Sequence, residues 1–325
     1  MRKLIIQIPC YNEEKNLPIT LADLPREVHG FDVVEWLIIN DGSTDRTVEV
    51  AQTAGVDHIV HFKKNKGLAN GFMAGLDACL ELDADVIVNT DADNQYRASD
   101  IPQLVAPILN GEAEVVVGAR PIDAIKHFST MKKILQKVGS KVVRIVSKTK
   151  VKDVTSGFRA ISRDAAMRLN VFNDYTYTLE TVIQSGQKNM AIVSVPIRTN
   201  EFLRPSRLMR SIPSYIYKSF STIIRIFIVY KPFRFFMSIG LVLFSIGVLI
   251  GCRFLYFYLN GDEEGHIQSL ILGSVLLGIG FQTILVAFLS DLLSVNRRLL
   301  EDVQYRIKKI HFRRRERPSG DSDLN

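Results

Sequence analysis

From residue 1 to about 200 the chain alternates short, β-branched apolar runs with stretches whose apolar residues recur at helical spacing. Residues 4–8, 33–39, 56–62, 86–89 and 114–118 read as buried strands. Residues 16–24, 44–54 and 67–81 read as helices, with Ser43 positioned to cap the second. Such alternation predicts βαβ units and an α/β fold with a mostly parallel sheet. Ligands of these sheets gather beyond the carboxyl ends of the strands. Polar clusters follow Ile8, Ile39 and Asn89, each at such an end.

The pattern changes near residue 205. Residues 208–230 mix Ile, Phe and Tyr with Arg210, Lys218 and Arg225. This predicts amphipathic helices, broken near Pro213, lying in a membrane interface; packing on the preceding domain is the alternative. Residues 235–251 carry no charge and the apolar run continues past Arg253 to Leu259, while 267–290 form a second uncharged run. Each is long enough to cross a bilayer as a helix. The expected division is a catalytic domain over 1–205, interface helices over 206–232, a transmembrane hairpin over 233–293 (helices at about 233–259 and 267–290) and a basic tail over 294–325. Asp262, Glu263 and Glu264 lie in the hairpin connection, whereas Lys231, Arg234 and the tail flank its two ends. The positive-inside rule then predicts an integral protein of the inner (cytoplasmic) membrane, with the catalytic domain and both termini in the cytoplasm. Arg253 is expected to snorkel toward the far headgroups. Gly247, Gly251, Gly273, Gly278 and Gly280 offer close helix approach within one chain or between copies, so a homo-oligomer is a candidate partner.

Charge refines this picture. The formal net charge is +7, and nine Lys or Arg against three acids lie between Arg297 and Arg317. That tail suits anionic lipid headgroups, a plain solvated tail being the other reading. No basic, aromatic-interleaved surface of the kind that binds nucleic acid is present, which excludes that partner class. Cys10, Cys79 and Cys252 have neither metal-ligand nor redox spacing, as expected of a reduced, cytosol-facing domain. The first apolar run stops at Pro9, too soon for a signal peptide.

Asp91-Ala92-Asp93 carries the clearest chemistry. Two aspartates one residue apart follow a buried strand, so their carboxylates project into a strand-end crevice. Carboxylate oxygens suit Mg2+ or Mn2+, ions that retain water and phosphate ligands; taken alone, the pattern also reads as a solvated turn.

Three further motifs occur in order around it: Pro9-Cys10-Tyr11-Asn12-Glu13-Glu14, Asn40-Asp41-Gly42-Ser43-Thr44-Asp45 and Asn65-Lys66-Gly67-Leu68-Ala69-Asn70-Gly71. Together with Asp91-Ala92-Asp93 they resemble the family-2 glycosyltransferases, which implies a GT-A nucleotide-sugar-binding fold over roughly residues 4–120. Asp153-Val154-Thr155-Ser156-Gly157-Phe158-Arg159-Ala160 resembles a segment of polyprenyl-phosphate sugar transferases, of the dolichyl-phosphate mannose synthase and bacterial prenyl-phosphate glucosyltransferase types. The hairpin after the catalytic domain resembles the bacterial type. Arg204-Pro205-Ser206-Arg207 stands where that family has a basic Ser-Lys or Ser-Arg element, without the glycine common in mannose synthases, a departure that points away from mannose.

The resemblance implies an inverting transfer of a hexose from a nucleotide sugar, UDP-glucose first, to polyprenyl phosphate, giving a β-linked lipid product. GDP-mannose and UDP-amino sugars are the alternative donors. By resemblance, Pro9, Tyr11, Glu13, Asp41, Lys66 and Asp91 line the nucleotide-sugar pocket, and Asp91, Asp93 and Gln95 hold the Mg2+ or Mn2+. Asp93, Arg120 and Asp153 form the catalytic group, Arg120 on the acceptor phosphate or diphosphate and Asp153 orienting the acceptor or a basic partner. Arg204, Ser206 and Arg207 receive the acceptor phosphate. Asp41 also reads as a turn residue, Lys66 as a solvated lysine, and Arg204 and Arg207 as general membrane-surface charge. A processive polysaccharide synthase would need a Gln-x-x-Arg-Trp element, and the one tryptophan, Trp36, lies in an early strand. A transferase for another lipid, or a silent scaffold binding nucleotide sugar or a flippase partner, completes the alternatives; the intact aspartate pair argues against the scaffold.

Overall fold

In the computed structural model the described residues are 1–121, 139–141, 143–171, 177–200, 221, 224–225, 228–260 and 267–315, with side chains to 312. The chain divides into two compact units, Met1–Ile216 with Val303–Asn325, and Tyr217–Asp302.

The first unit is built on a seven-stranded sheet. Its described elements are β1 (Lys3–Cys10), α1 (Leu17–Asp23), β2 (Val33–Asn40), α2 (Thr47–Thr53), β3 (His58–His61), α3 (Leu68–Glu81), β4 (Val86–Asn89), α4 (Ile101–Leu109), β5 (Val115–Ala119), β6 (Arg159–Ser162), α5 (Arg163–Arg168), α6 (Thr178–Gln187) and β7 (Ile192–Pro196). The strand order is β3-β2-β1-β4-β6-β5-β7. All pairings are parallel except those of β6, which runs antiparallel between β4 and β5. Alternation along β1 explains why the sheet is covered on both faces. Leu4, Ile6 and Ile8 enter one apolar cluster with α1 and α4, while Ile5 enters the other with α3 and α5.

The first five strands and the first three helices stand where the apolar pattern put them. β6 and β7 are additional, and Ser43 is not a helix cap. α2 begins at Thr47, and Asp45 Oδ1 accepts the Thr47 N–H at 3.0 Å. Asp45, two residues before Thr47, closes this turn on its own backbone. Ser43 is engaged elsewhere, its hydroxyl accepting the Asn12 N–H at 3.0 Å.

The second unit contains α7 (Pro232–Leu259) and most of α8 (Ile267–Arg315), both long and apolar enough to cross a membrane. They pack antiparallel through glycines. A Cβ on Gly240 would lie 3.0 Å from the Ile284 nitrogen, one on Gly247 3.0 Å from the Gly273 oxygen, and one on Gly280 2.7 Å from the Phe244 nitrogen. Gly251 and Gly278 have nothing within 4 Å and take no part in this contact. The outward faces are apolar, with Leu249, Leu272 and Phe281 all exposed.

The apolar pattern predicts that the second helix ends at 290 and that a tail follows. Instead α8 is one helix to Arg315, because no Gly or Pro interrupts residues 281–315 and leucines persist to Leu300. From Val303 onward it belongs to the first unit. Phe312 is buried in the α3–α5 cluster, the Tyr305 hydroxyl donates to Asp164 at 2.7 Å, and Lys308 Nζ donates to Asp77 at 2.7 Å. The expected interface helices over 206–232 lie for the most part outside the described residues.

Candidate active site

β1, β2 and β4 run parallel side by side, so the segments leaving Cys10, Asn40 and Asn89 emerge at one edge. Hydrogen bonds knit the first two together. Thr44 N–H donates to Asn12 Oδ1 at 2.8 Å, and Glu13 N–H to Thr47 Oγ1 at 2.8 Å. Asp41, nearly buried, binds the next loop with both carboxylate oxygens, accepting the Lys66 N–H at 2.6 Å and the Gly67 N–H at 2.9 Å. Gly42 makes this approach feasible. Its φ is +69°, and a Cβ there would lie 2.6 Å from the Lys64 carbonyl carbon.

Asp91 and Asp93 follow β4. The turn is held by Asn94, at φ 53°, whose amide donates to Asp23 at 2.8 Å. Asp93 Oδ1 accepts the Gln95 N–H at 3.2 Å, and the Gln95 carbonyl accepts from the Asn200 N–H at 2.9 Å. Burial, and then the Asp93 charge beside it, push the Asp91 carboxyl up to about 7. The Arg120 charge, and then hydrogen bonding from the Tyr96 hydroxyl, work in the opposite direction. Tyr96 stacks on Phe158, ring centroids 5.1 Å apart, and its oxygen accepts the Gly157 N–H at 2.9 Å.

Next to the aspartates lies a buried ion pair. Arg120 leaves the end of β5 and grips Asp153 side-on, Nε to Oδ2 at 2.7 Å and Nη2 to Oδ1 at 3.1 Å, with Nη2 also donating to Thr155 Oγ1 at 2.9 Å. Burial alone would raise the Asp153 carboxyl, but the Arg120 guanidinium and its hydrogen bonds hold it below the usual range. Burial likewise opposes the charge on Arg120, and Tyr96, Asp153 and Asp91 outweigh it, so the guanidinium keeps its proton more tightly than usual. Both aspartate groups therefore act on one arginine.

The 153–157 segment is fixed from beneath. Asn89 Nδ2 donates to the Gly157 carbonyl at 2.9 Å and to the Tyr177 hydroxyl at 2.8 Å, while Gln7 donates to Asn89 Oδ1 at 2.9 Å. Arg159 is fully buried and donates to the carbonyls of Ser156 at 2.9 Å, Val154 at 3.0 Å and Thr178 at 2.7 Å. Burial pulls its guanidinium below the usual range. Tyr177 stacks on Phe72 at 3.9 Å.

Residues 5–169 match the family described as Glycosyl transferase family 2. The chain belongs to this family. Among its curated relatives, an undecaprenyl-phosphate mannosyltransferase of Micrococcus luteus is 30% identical over 207 residues, covering 61% of this chain and 83% of the relative. A UDP-N-acetylglucosamine–dolichyl-phosphate N-acetylglucosaminyltransferase of Methanococcus voltae is 30% identical over 218 residues, covering 59% and 83%. Among solved structures, glucosyl-3-phosphoglycerate synthase of Mycobacterium tuberculosis, in complex with Mn2+, UDP and glucosyl-3-phosphoglycerate, has a TM-score of 0.53 at 20% identity, covering 70% of this chain and 79% of that one. The fold is thus GT-A, and the protein is a glycosyltransferase.

In this family-2 glycosyltransferase, the residues singled out in the sequence fall into three sets. Asp91, Asp93, Arg120 and Asp153 come together, with Gln95 joined to them through the Asp93 turn. Pro9, Glu13 and Asp41 line the joined strand-end loops, Tyr11 is 41% exposed there, and Lys66 is exposed with its ammonium 4.6 Å from the centre of the Phe62 ring. Arg204, Ser206 and Arg207 lie outside the described residues. Tyr96, Asn89, Gly157, Arg159 and Tyr177 carry no individual role in the sequence analysis, although the motifs quoted above contain Gly157 and Arg159. No local signal marks Tyr177.

The donor set fits a divalent cation. Two carboxylates sit close enough to disturb each other, and a cation between them relieves that repulsion. A cation held there would complete its shell with water and phosphate oxygens; among the described residues no group of three or more His, Cys, Asp or Glu gathers. That sparse oxygen set suits Mg2+ or Mn2+.

Proposed function

We propose that this glycosyltransferase moves a hexose from a nucleotide sugar to polyprenyl phosphate at a membrane surface, with inversion at the anomeric carbon. The observation that carries the proposal is the Asp91–Asp93 pair held beside an arginine that Asp153 locks in place. The relatives named for undecaprenyl-phosphate and dolichyl-phosphate acceptors support the acceptor class, and the two apolar helices support the membrane. UDP-glucose is the first donor proposed. The names of the relatives divide among mannose, N-acetylglucosamine and glucose, so GDP-mannose and UDP-N-acetylglucosamine are the alternatives.

A phosphate monoester has a second pKa near about 6 and is mostly dianionic at neutral pH, so it needs no strong base. One acceptor oxygen attacks the anomeric carbon opposite the nucleotide, the bond to the diphosphate oxygen breaks, and nucleoside diphosphate leaves. Alignment and charge neutralisation are the tasks left to the protein. Arg120 holds a phosphate oxygen with the donors Asp153 leaves unused, and Asp153 acts through Arg120 rather than as a base. Asp91, Asp93 and Gln95 would hold Mg2+ or Mn2+, which when bound neutralises the diphosphate. Pro9, Tyr11, Glu13, Asp41 and Lys66 line the nucleotide, and Arg204, Ser206 and Arg207 receive the lipid phosphate. The catalytic domain and both termini face the cytoplasm at the inner membrane.

The test incubates membranes containing the chain with undecaprenyl phosphate and, separately, labelled UDP-glucose, GDP-mannose and UDP-N-acetylglucosamine. One donor should label a lipid-linked monosaccharide and release its nucleoside diphosphate, and Asp93→Ala should abolish both. No transfer from any donor would favour a nucleotide-sugar-binding scaffold.

A further inference from the structure

Residues 139–152 form a face that the transfer chemistry does not use. Lys141, Arg144, Ile145 and Lys148 recur at the spacing of one helical stripe, and all four are exposed, Ile145 by 60%. Val143, Val146 and Ser147 on the other side are buried. Residues 139–141 and 143–147 are helical, Lys148 follows them at φ 57°, and the chain then alternates exposed Lys150, buried Val151 and exposed Lys152 before reaching Asp153. The surroundings in sequence are as one-sided: between Asp123 and Asp153 there are nine Lys or Arg and no Asp or Glu.

An ordinary solvated face would intersperse charges of both signs. Here five exposed cations flank an exposed isoleucine in sequence within residues 141–152. That is the composition of a surface meeting anionic headgroups, with cations at the phosphate plane and an apolar side chain reaching the acyl boundary. The same stretch contains no aromatic residue for base stacking, which disfavours a nucleic acid. We propose that residues 141–152 are a lipid-docking face on the catalytic domain itself, binding an anionic bilayer surface. It rests on the membrane-bound reading above and adds a second attachment, next in sequence to the Asp153–Gly157 segment.

The full chain tests this in reconstituted vesicles. In a Cys252→Ser background, where Cys10 and Cys79 are buried, Ile145→Cys is labelled with bimane. Brominated phosphatidylglycerol in the bilayer should quench the label, and K141E/R144E/K148E should lose that quenching while transfer assayed in detergent persists. Equal emission in brominated and unbrominated vesicles, or quenching that survives charge reversal, overturns the docking face. Quenching is read without any donor sugar. Its absence from the labelled Ile145→Cys protein before charge reversal therefore overturns this face alone, whereas missing transfer with quenching intact overturns the proposed reaction alone.

Discussion

Gly157 leaves open the space that the Asp91 carboxylate fills: a Cβ on Gly157 would stand 3.0 and 3.1 Å from its two oxygens and 2.9 Å from the Tyr177 hydroxyl. The same residue is held at its N–H by Tyr96 and at its carbonyl by Asn89. The carboxylate pair and the loop carrying Asp153 are therefore one packed assembly.

Gly157→Ala should displace Asp91 while leaving the sheet intact, since neither β4 nor β6 loses a ladder hydrogen bond. Mn2+ affinity, measured by the electron paramagnetic resonance of the free ion, should fall about 10- to 100-fold, as for other residues supporting a ligand. Unchanged affinity would mean that Asp91 has room to shift without penalty.

Removing one partner of the Arg120–Asp153 pair strands a buried charge. Asp153→Asn should destabilise the protein by about 3–5 kcal/mol and nearly silence transfer. Arg120→Met combined with Asp153→Leu should recover much of the stability and none of the activity. Thermal melts beside the transfer assay separate the two effects. Full recovery of activity in the double variant would remove Arg120 from the reaction.

The raised Asp91 carboxyl makes stability depend on pH in a definite direction. Its folded value, about 7, lies above the ordinary 3.8, so the folded state holds this proton more tightly than the unfolded chain does. The melting temperature of the cation-free protein should therefore fall from about pH 4 to about pH 7 through this group and level off above, a slope that Asp91→Asn should lack. Cation binding should release close to one proton below pH 7, seen as heat that varies with buffer ionisation.

Phe312 sits in the same apolar cluster as Leu80 and Met167. Phe312→Ala should cost the catalytic unit about 3 kcal/mol, and truncation after Asp302 more, because the Tyr305–Asp164 and Lys308–Asp77 bonds go too. Limited proteolysis would report either change. A truncated chain as resistant as the full one would reduce this segment to an appendage.

Much of this protein is local, and what is local could be read. The continuous burial of β1 and of the second half of β2, the polar residues closing each strand and the Asp91-Ala92-Asp93 turn all follow from neighbours in the chain. The two apolar helices follow as directly from composition. What tertiary structure decided is which distant groups meet. Arg120 and Asp153 are 33 positions apart, and Asn89 and Tyr177 are 88 apart. A sequence marks such residues as polar and buried without naming their partners. The insertion of β6 between β4 and β5 depends on collective packing of the sheet rather than on any signal within residues 159–162. The end of α8 divides in the same way. Its helicity was written in an uninterrupted run without Gly or Pro, but only the surface of α3 and α5 determined that Phe312, among so many basic neighbours, would find a core.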